Sequence, residues 1–244
     1  SVIAAAPARL NKSGFGDSMA RSTAQADWLL SHLLLGTAYD ESVFVPLLAI
    51  EEELHASAKG IRMADPNVLK LLMQTLLISG LGMTAAKGSY PASHGEHMIA
   101  HAYNMHLEHT GAGSNNLHGE EIAVTALAMA NRQEALMNID PIFADKIFPE
   151  TRITELFGER VTAEAKKAYA TKLELMKNRE IANWPDVAGK ISKIAIPPQR
   201  MQKILTEANC QTFYGALGWQ QDTYIAISQA ARFLRERFTF LDLI

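Results

Sequence analysis

Five of the eight histidines in this 244-residue chain, His94, His97, His101, His106 and His109, fall within sixteen residues. His97 and His101 are spaced i, i+4, which on a helix turns both imidazoles toward one site. The same spacing also arises without any ligand role. His118 stands in Leu117-His118-Gly119-Glu120, after a loop rich in Gly and Asn, where a helix is expected to start. The dipole at a helix N-terminus favours a neutral imidazole, the state in which histidine binds a metal. Asp17, after Gly14-Phe15-Gly16, adds a carboxylate at another expected helix N-terminus, on a turn that the two glycines permit. Two histidines and one carboxylate leave a coordination position open, as in catalytic zinc sites. Spacing alone supports equally well an N-cap at Asp17 and histidines satisfied as ordinary polar groups. His106 and His109, near the helix end, read as carbonyl caps or solvent-facing residues. Lys87 with the hydroxyls of Ser89 and Ser93 reads either as a phosphate-holding group or as a polar loop between helices.

The elements that must carry these residues read as helices. Residues 17–36 run from Asp17 to Gly36, a stop residue. Ser42 precedes an apolar stretch with Pro46 in its first turn, closed by Lys59-Gly60. Asp65-Pro66 is a cap followed by an N1 proline, opening a helix that carries Leu69, Leu72, Met73, Leu76 and Leu77. A polar break at 87–93 precedes a helix over about 95–109, and 115–118 opens another with Glu120 and Glu121 in its first turn. Further helices are expected over 162–181, 198–209 and 222–237, the last capped by Asp222. Strand-like alternation is confined to 42–46 and 191–196 and is weak in both. The fold class is all-α, one helical metal- and substrate-binding domain over 1–244 with a soft internal boundary near 138–158. Gly80-Leu81-Gly82 and Gly14-Phe15-Gly16 follow no strand, so neither reads as a dinucleotide cradle.

Composition narrows the function classes. An apolar fraction of 48% with 20% charged residues is that of an ordinary globular protein. A formal net charge of −3 offers no basic footprint for nucleic acid. The single cysteine, Cys210, excludes an internal disulfide and reads as a small buried hydrophobe. The uncharged stretch 71–86 falls short of a bilayer span, so no membrane association is expected. The opening Ser1-Val2-Ile3-Ala4-Ala5-Ala6-Pro7 has no basic n-region, and a cytoplasmic protein is expected. Without an initiator methionine, the chain is expected to be part of a longer one.

Three strings occur in order: Ser13-Gly14-Phe15-Gly16-Asp17; then Ser89-Tyr90-Pro91-Ala92-Ser93-His94-Gly95-Glu96-His97-Met98-Ile99-Ala100-His101; then Leu117-His118-Gly119-Glu120. Together they resemble the C-terminal domain of the glycerol-1-phosphate dehydrogenases, within the superfamily of glycerol dehydrogenase, iron-containing alcohol dehydrogenase and dehydroquinate synthase. That resemblance implies a multi-helix, dehydroquinate synthase-like domain, here without the N-terminal α/β nucleotide-binding domain that precedes it in the family. It implies Asp17, His97 and His118 as metal ligands, with His101 facing substrate one turn from the metal. The spacing equally permits His101 as the ligand and His97 as its support. Many iron-type relatives carry a fourth ligand where this chain has Arg21, so zinc is implied before iron, with nickel as the next choice. The family often has an arginine where Tyr90 stands.

The implied reaction is reduction of dihydroxyacetone phosphate to sn-glycerol 1-phosphate with NAD(P)H, the metal acting as a Lewis acid. In it His101 relays the proton, while Lys87, Ser89, Ser93 and His101 meet the phosphorylated triose. The missing nucleotide domain supplies the nicotinamide, and the fragment alone is expected to be inactive. Homo-oligomer formation is compatible with the resemblance. The rival readings are a glycerol or polyol dehydrogenase acting on an unphosphorylated substrate, and a non-catalytic helical assembly domain using the amphipathic helix 162–181.

Overall fold

A computed structural model describes residue 3 and residues 5–244; Ser1, Val2 and Ala4, part of the opening stretch read above for a signal, lie outside the described residues. Eleven α-helices follow one another among them: α1 (Ala8–Ser18), α2 (Ala20–Leu35), α3 (Val45–Ala56), α4 (Lys59–Arg62), α5 (Pro66–Ala85), α6 (Gly95–Thr110), α7 (His118–Met137), α8 (Glu150–Met176), α9 (Trp184–Ile191), α10 (Pro198–Glu207) and α11 (Gln221–Ala230). The described residues form no sheet, only an isolated bridge between Phe143 and Leu243. The all-α expectation is met.

Local chemistry sets several of the boundaries. The Asp65 carboxylate accepts the Asn67 amide at 2.8 Å and Pro66 takes the first helical position, so α5 opens where the sequence places it. Helix α2 stops at Gly36, whose φ of 72° is a left-handed conformation that a side chain resists. Other boundaries move. The stretch after Ser42 ends at Ala56, and Lys59-Gly60 begins the short α4 instead of closing it. Residues 42–46 are helical turns and 191–196 are the end of α9 and the turn after it, because their apolar residues pack on helices and not on neighbouring strands. The charged helix expected over 162–181 starts at Glu150, breaks at Gly158 and ends at Met176. The last helix starts after Gln220, not at an Asp222 cap, and gives way at Ala230 to a tail of short 3-10 turns.

Two apolar clusters hold the helices. The larger draws Leu30 and Leu34 of α2, Ile99 and Tyr103 of α6, Ile153 and Tyr169 of α8, Trp219 and the tail residues Phe238 and Phe240, so it takes residues from both sides of 138–158. The smaller joins Phe15 of α1, Leu69 and Leu72 of α5, Ala123 and Ala126 of α7 and Met201 of α10. Cys210 packs at its edge, and burial pushes the thiol up to about 12, which keeps it protonated. Helix α5 exceeds the uncharged run read in the sequence: with 20 residues and a mean hydropathy of 1.5 it is long and apolar enough to cross a membrane, and 28% of that apolar window is buried. It packs against α3 and α1.

The tail is fastened from inside. Lys172 and Asp242 are both fully buried, with Nζ 3.1 Å from Oδ1. Asp242 also accepts the Thr239 amide at 3.0 Å. Asp27, completely buried on α2, accepts the Phe240 amide and the Gly95 amide at 3.0 Å each. One carboxyl thereby ties the C-terminal tail to the first turn of α6. Burial, reinforced by nearby Glu96, pushes that carboxyl up to about 8.

Candidate metal centre

The centre lies where α1, α6 and α7 meet. Asp17 is the second-last residue of α1, not the first of a helix, so its expected role as an N-cap is corrected. The reason is the use of the two glycines. Gly16 faces Gly119, and a Cβ on Gly16 would stand 2.2 Å from the Gly119 carbonyl oxygen. A Cβ on Gly119 would stand 1.8 Å from the Ser13 carbonyl oxygen. The glycines therefore lie within a helix and permit two backbones to touch, which brings Asp17 beside His118. His118 opens α7 as expected, and Glu120 returns a carboxylate oxygen to the Leu117 amide at 2.9 Å.

Asp17, His97 and His118 each offer one ligand atom, and the three atoms lie within 4.8 Å of one another. Asp17 Oδ1 is 3.6 Å from His97 Nε2 and 3.8 Å from His118 Nε2. That oxygen is shielded from solvent and accepts no hydrogen bond. On the other side of the His97 ring, Glu96 Oε1 lies 3.0 Å from Nδ1; a carboxylate can only accept, so Nδ1 carries the proton and Nε2 is turned toward Asp17. Glu96 is itself fully buried and accepts from the His94 amide at 2.7 Å and the Thr23 hydroxyl at 2.9 Å. A carboxylate behind a histidine, fixing its tautomer, is the usual support of a metal-ligating imidazole.

The electrostatics agree with a cation site. Burial opposes charge on His97, but the Asp17 and Glu96 carboxylates outweigh it and push the imidazole up to about 9. Burial likewise disfavours the Asp17 anion, and His97, then His118 and His101, draw its carboxyl below the usual value. A site that attracts a proton to Nε2 attracts a divalent ion in its place, since binding releases that proton. Burial and the nearby His97 lower His118. The orphaned carboxylate oxygen, two converging imidazole nitrogens and a carboxylate support behind one of them fit a divalent cation of the zinc class.

His101 stands beside this set and not in it, its ring 5.9 Å from that of His97 and 5.2 Å from that of His118. Burial, His118 and His97 push His101 down to about 4, below the near-neutral value that suits a proton relay. It faces two adjoining cavities. One, of about 320 Å3, is lined by Asp17, Arg21, Thr75, Ser89, Ser93 and His97 as well. The other, of about 170 Å3, shares Ser89, Ser93, His97 and His101 and adds Arg235 and Arg237. Ser89 and Ser93 thus reach the centre. Lys87 does not line either cavity; it is exposed after α5 with φ at 52°. Arg21, at the position of the missing fourth ligand, pairs with Glu51 at 2.7 Å. His106 Nδ1 donates to the Leu156 carbonyl at 2.9 Å, and His109 packs against Gly158, both away from the centre.

Sequence reasoning assigned no role to Glu96, Thr23, Arg235 or Arg237. Glu96, directly before His97, carried a usable signal, because a carboxylate next to a ligand histidine is a common support. The arginines carried none, standing more than a hundred residues along the chain.

A helical domain in which one carboxylate and two imidazoles converge beside a cavity is the class that fold and site define. Curated relatives named glycerol-1-phosphate dehydrogenase, with NAD(P)+ in the name, align with this chain, in keeping with the resemblance of the three strings. The Aeropyrum pernix protein is 37% identical over 131 residues, 53% of this chain and 35% of its own length. Those of Hyperthermus butylicus and Pyrococcus furiosus are 35% and 32% identical over 128 and 129 residues, covering 52% and 53% of this chain and 35% and 36% of their own lengths. The alignments thus span little more than a third of these relatives. No family model matches the chain.

Proposed function

We propose that this chain is the metal- and substrate-binding portion of a glycerol-1-phosphate dehydrogenase, reducing dihydroxyacetone phosphate to sn-glycerol 1-phosphate with NAD(P)H in the cytoplasm. The observation that carries the reading is the convergence of Asp17, His97 and His118 within 4.8 Å, with Asp17 Oδ1 left without a hydrogen bond. A zinc ion, or nickel in its place, would be held by these three residues and supplies Lewis acidity toward a ketone oxygen. Glu96 keeps His97 Nδ1 protonated and Nε2 free to face the ion. Ser89 and Ser93 line the cavity in which the triose is held, and His101, neutral at pH 7, offers a ring nitrogen as a hydrogen-bond partner that orients the substrate hydroxyl. The described residues do not fit a nicotinamide nucleotide: Gly14, Gly16, Gly80 and Gly82 all lie inside helices, and no strand leads into them. The relatives' names point to NAD(P) as the coenzyme, and a nucleotide-binding domain and self-association belong to the same reading.

The test is metal analysis after dialysis against metal-free buffer, paired with calorimetric titration by dihydroxyacetone phosphate. About one zinc or nickel per chain is expected for coordination by three side chains with one position open, lost in His118→Ala and kept in His32→Ala. Absence of bound metal, or full metal in His118→Ala, overturns the centre. Binding of dihydroxyacetone in preference to its phosphate overturns the substrate.

A further inference from the structure

The smaller cavity holds two cations that the metal centre does not use. Arg237 is half-buried in the tail. Its guanidinium donates to the Ser93 carbonyl and, at 3.0 Å, to the Ser89 hydroxyl, and lies over the Tyr90 ring at 4.4 Å from the centroid. All of these partners are neutral. Among the described residues no carboxylate stands within salt-bridge distance of Arg237 or Arg235, whereas Arg9, Arg21, Arg152, Arg160, Arg200 and Arg232 each have one. Glu236, exposed between them, lines the same cavity without pairing with either. A guanidinium withdrawn from water with only neutral acceptors bears an uncompensated desolvation cost, which an anion in the cavity would offset. Burial accordingly lowers Arg237 from its ordinary value.

The surroundings specify which anion. Arginine binds phosphate oxygens through a planar fork of donors. Serine hydroxyls stand beside it, and His97 and His101 form the wall shared with the larger cavity. A ligand with an anionic end at Arg237 can therefore extend its neutral end along His101 toward Asp17. A cavity of about 170 Å3 has room for a phosphate group.

We propose that Arg237, with Arg235 at the cavity mouth, is the anion subsite of this centre and selects a phosphate monoester over the corresponding free triose or polyol. The proposal rests on the dehydrogenase reading for the identity of the ligand, and on the cavity for the subsite.

The test titrates the zinc-loaded chain with dihydroxyacetone phosphate, dihydroxyacetone and inorganic phosphate by calorimetry, with metal content measured on every protein. Arg237→Gln is expected to weaken dihydroxyacetone phosphate and inorganic phosphate by about 10- to 100-fold, the usual range for a hydrogen-bonded charged contact. Dihydroxyacetone binding and metal content should stay as in the parent. Because Arg237 also holds the 89–93 loop, exposed Arg235→Gln is made as well; a severalfold loss confined to the phosphorylated ligand is expected. Arg237→Lys should recover part of the affinity, as it keeps the charge and loses the fork. Unchanged phosphate affinity in both glutamine variants, or an equal loss for dihydroxyacetone, overturns the subsite. A parent chain that binds neither phosphate compound overturns it too. Arginine-dependent phosphate binding by a chain that retains no metal supports the subsite and overturns the dehydrogenase reading instead. Full metal with arginine-independent binding overturns the subsite alone.

Discussion

Glu96 Oε1 and His97 Nδ1 lie 3.0 Å apart in the first turn of α6, and this contact turns the opposite nitrogen of the ring toward Asp17. Adjacent residues seldom face one another on a helix. They do so here because the buried Glu96 carboxylate folds back on the helix start, where it also accepts the His94 amide.

That contact predicts the behaviour of Glu96→Gln. The amide keeps the shape but weakens the acceptor and frees the tautomer of His97. Zinc affinity should fall by roughly 10- to 100-fold, the usual effect of losing such a support. Competition with a chromophoric chelator measures it, with circular dichroism to show that the helices persist. Unaltered affinity would show that His97 needs no partner.

The meeting of Gly16 and Gly119 gives a second expectation. A methyl group at Gly16 must enter space occupied by the Gly119 carbonyl, 2.2 Å away. Helices α1 and α7 must then separate, at a cost of about 1–3 kcal/mol for an overpacked contact. Gly16→Ala should lower both the urea midpoint and the retained metal, because Asp17 moves away from His118. The same substitution at Gly189, inside α9 with nothing within 4 Å of its Cβ, should leave the metal unchanged and the urea midpoint equal or slightly raised.

The buried Lys172–Asp242 pair sets the stability of the tail. Lys172→Met leaves a carboxylate at 0% exposure with only Arg232, 3.6 Å away, as a cation, and removal of one partner of such a buried pair costs about 3–5 kcal/mol. Combining it with Asp242→Asn should recover part of that loss, since the carboxylate left without Lys172 is gone and the amide oxygen can still accept from Thr239, although Arg232 then loses its own partner. Urea unfolding of the parent, Lys172→Met, Asp242→Asn and the double variant reads the pattern; additivity of the two substitutions would contradict coupling.

His55 predicts the acid limb of stability. Burial, then Arg21 and Arg200, push its imidazole down to about 4, against Glu52, which acts the other way. The unfolded chain takes up this proton near pH 6.5, and the native chain only near 4, so the native state loses stability as pH falls through that window. The loss amounts to about 3 kcal/mol at most, from a shift of some 2.5 pH units at 1.36 kcal/mol each. Relative to His55→Gln, which carries no titrating group, the parent should weaken progressively between pH 6.5 and 4. Thermal or urea unfolding at pH 7, 5.5 and 4.5 measures the difference; parallel curves for the two proteins would mean that His55 protonates freely in the native state.

Helical class and several boundaries were legible because their causes are local. Asp65-Pro66 caps α5, Gly36 stops α2, and His118 opens α7, each through contacts within one turn of chain. The residue types of a metal set could likewise be read: His97, His118 and Asp17 came from their strings and do converge. The break in α8 at Gly158 and the 3-10 tail after Ala230 were not legible, because packing against distant helices decides them.

By itself, then, the amino-acid order determined the helices, the residue types of the candidate site and the resemblance. Tertiary structure alone decided that Gly16 is a contact point against Gly119 and not part of a turn, with Asp17 at the end of a helix. It also brought a ring nitrogen of His97 within 4.8 Å of Asp17 and His118, with His101 beside them, since a spacing of four residues places both histidines on one face and leaves the third partner's position open. Only the folded tail brings Arg237 over Tyr90, 147 positions earlier in the chain. Periodicity reports what a residue does within a few turns of its own helix, whereas a site assembled from three helices and a tail depends on which surfaces can approach closely enough to touch.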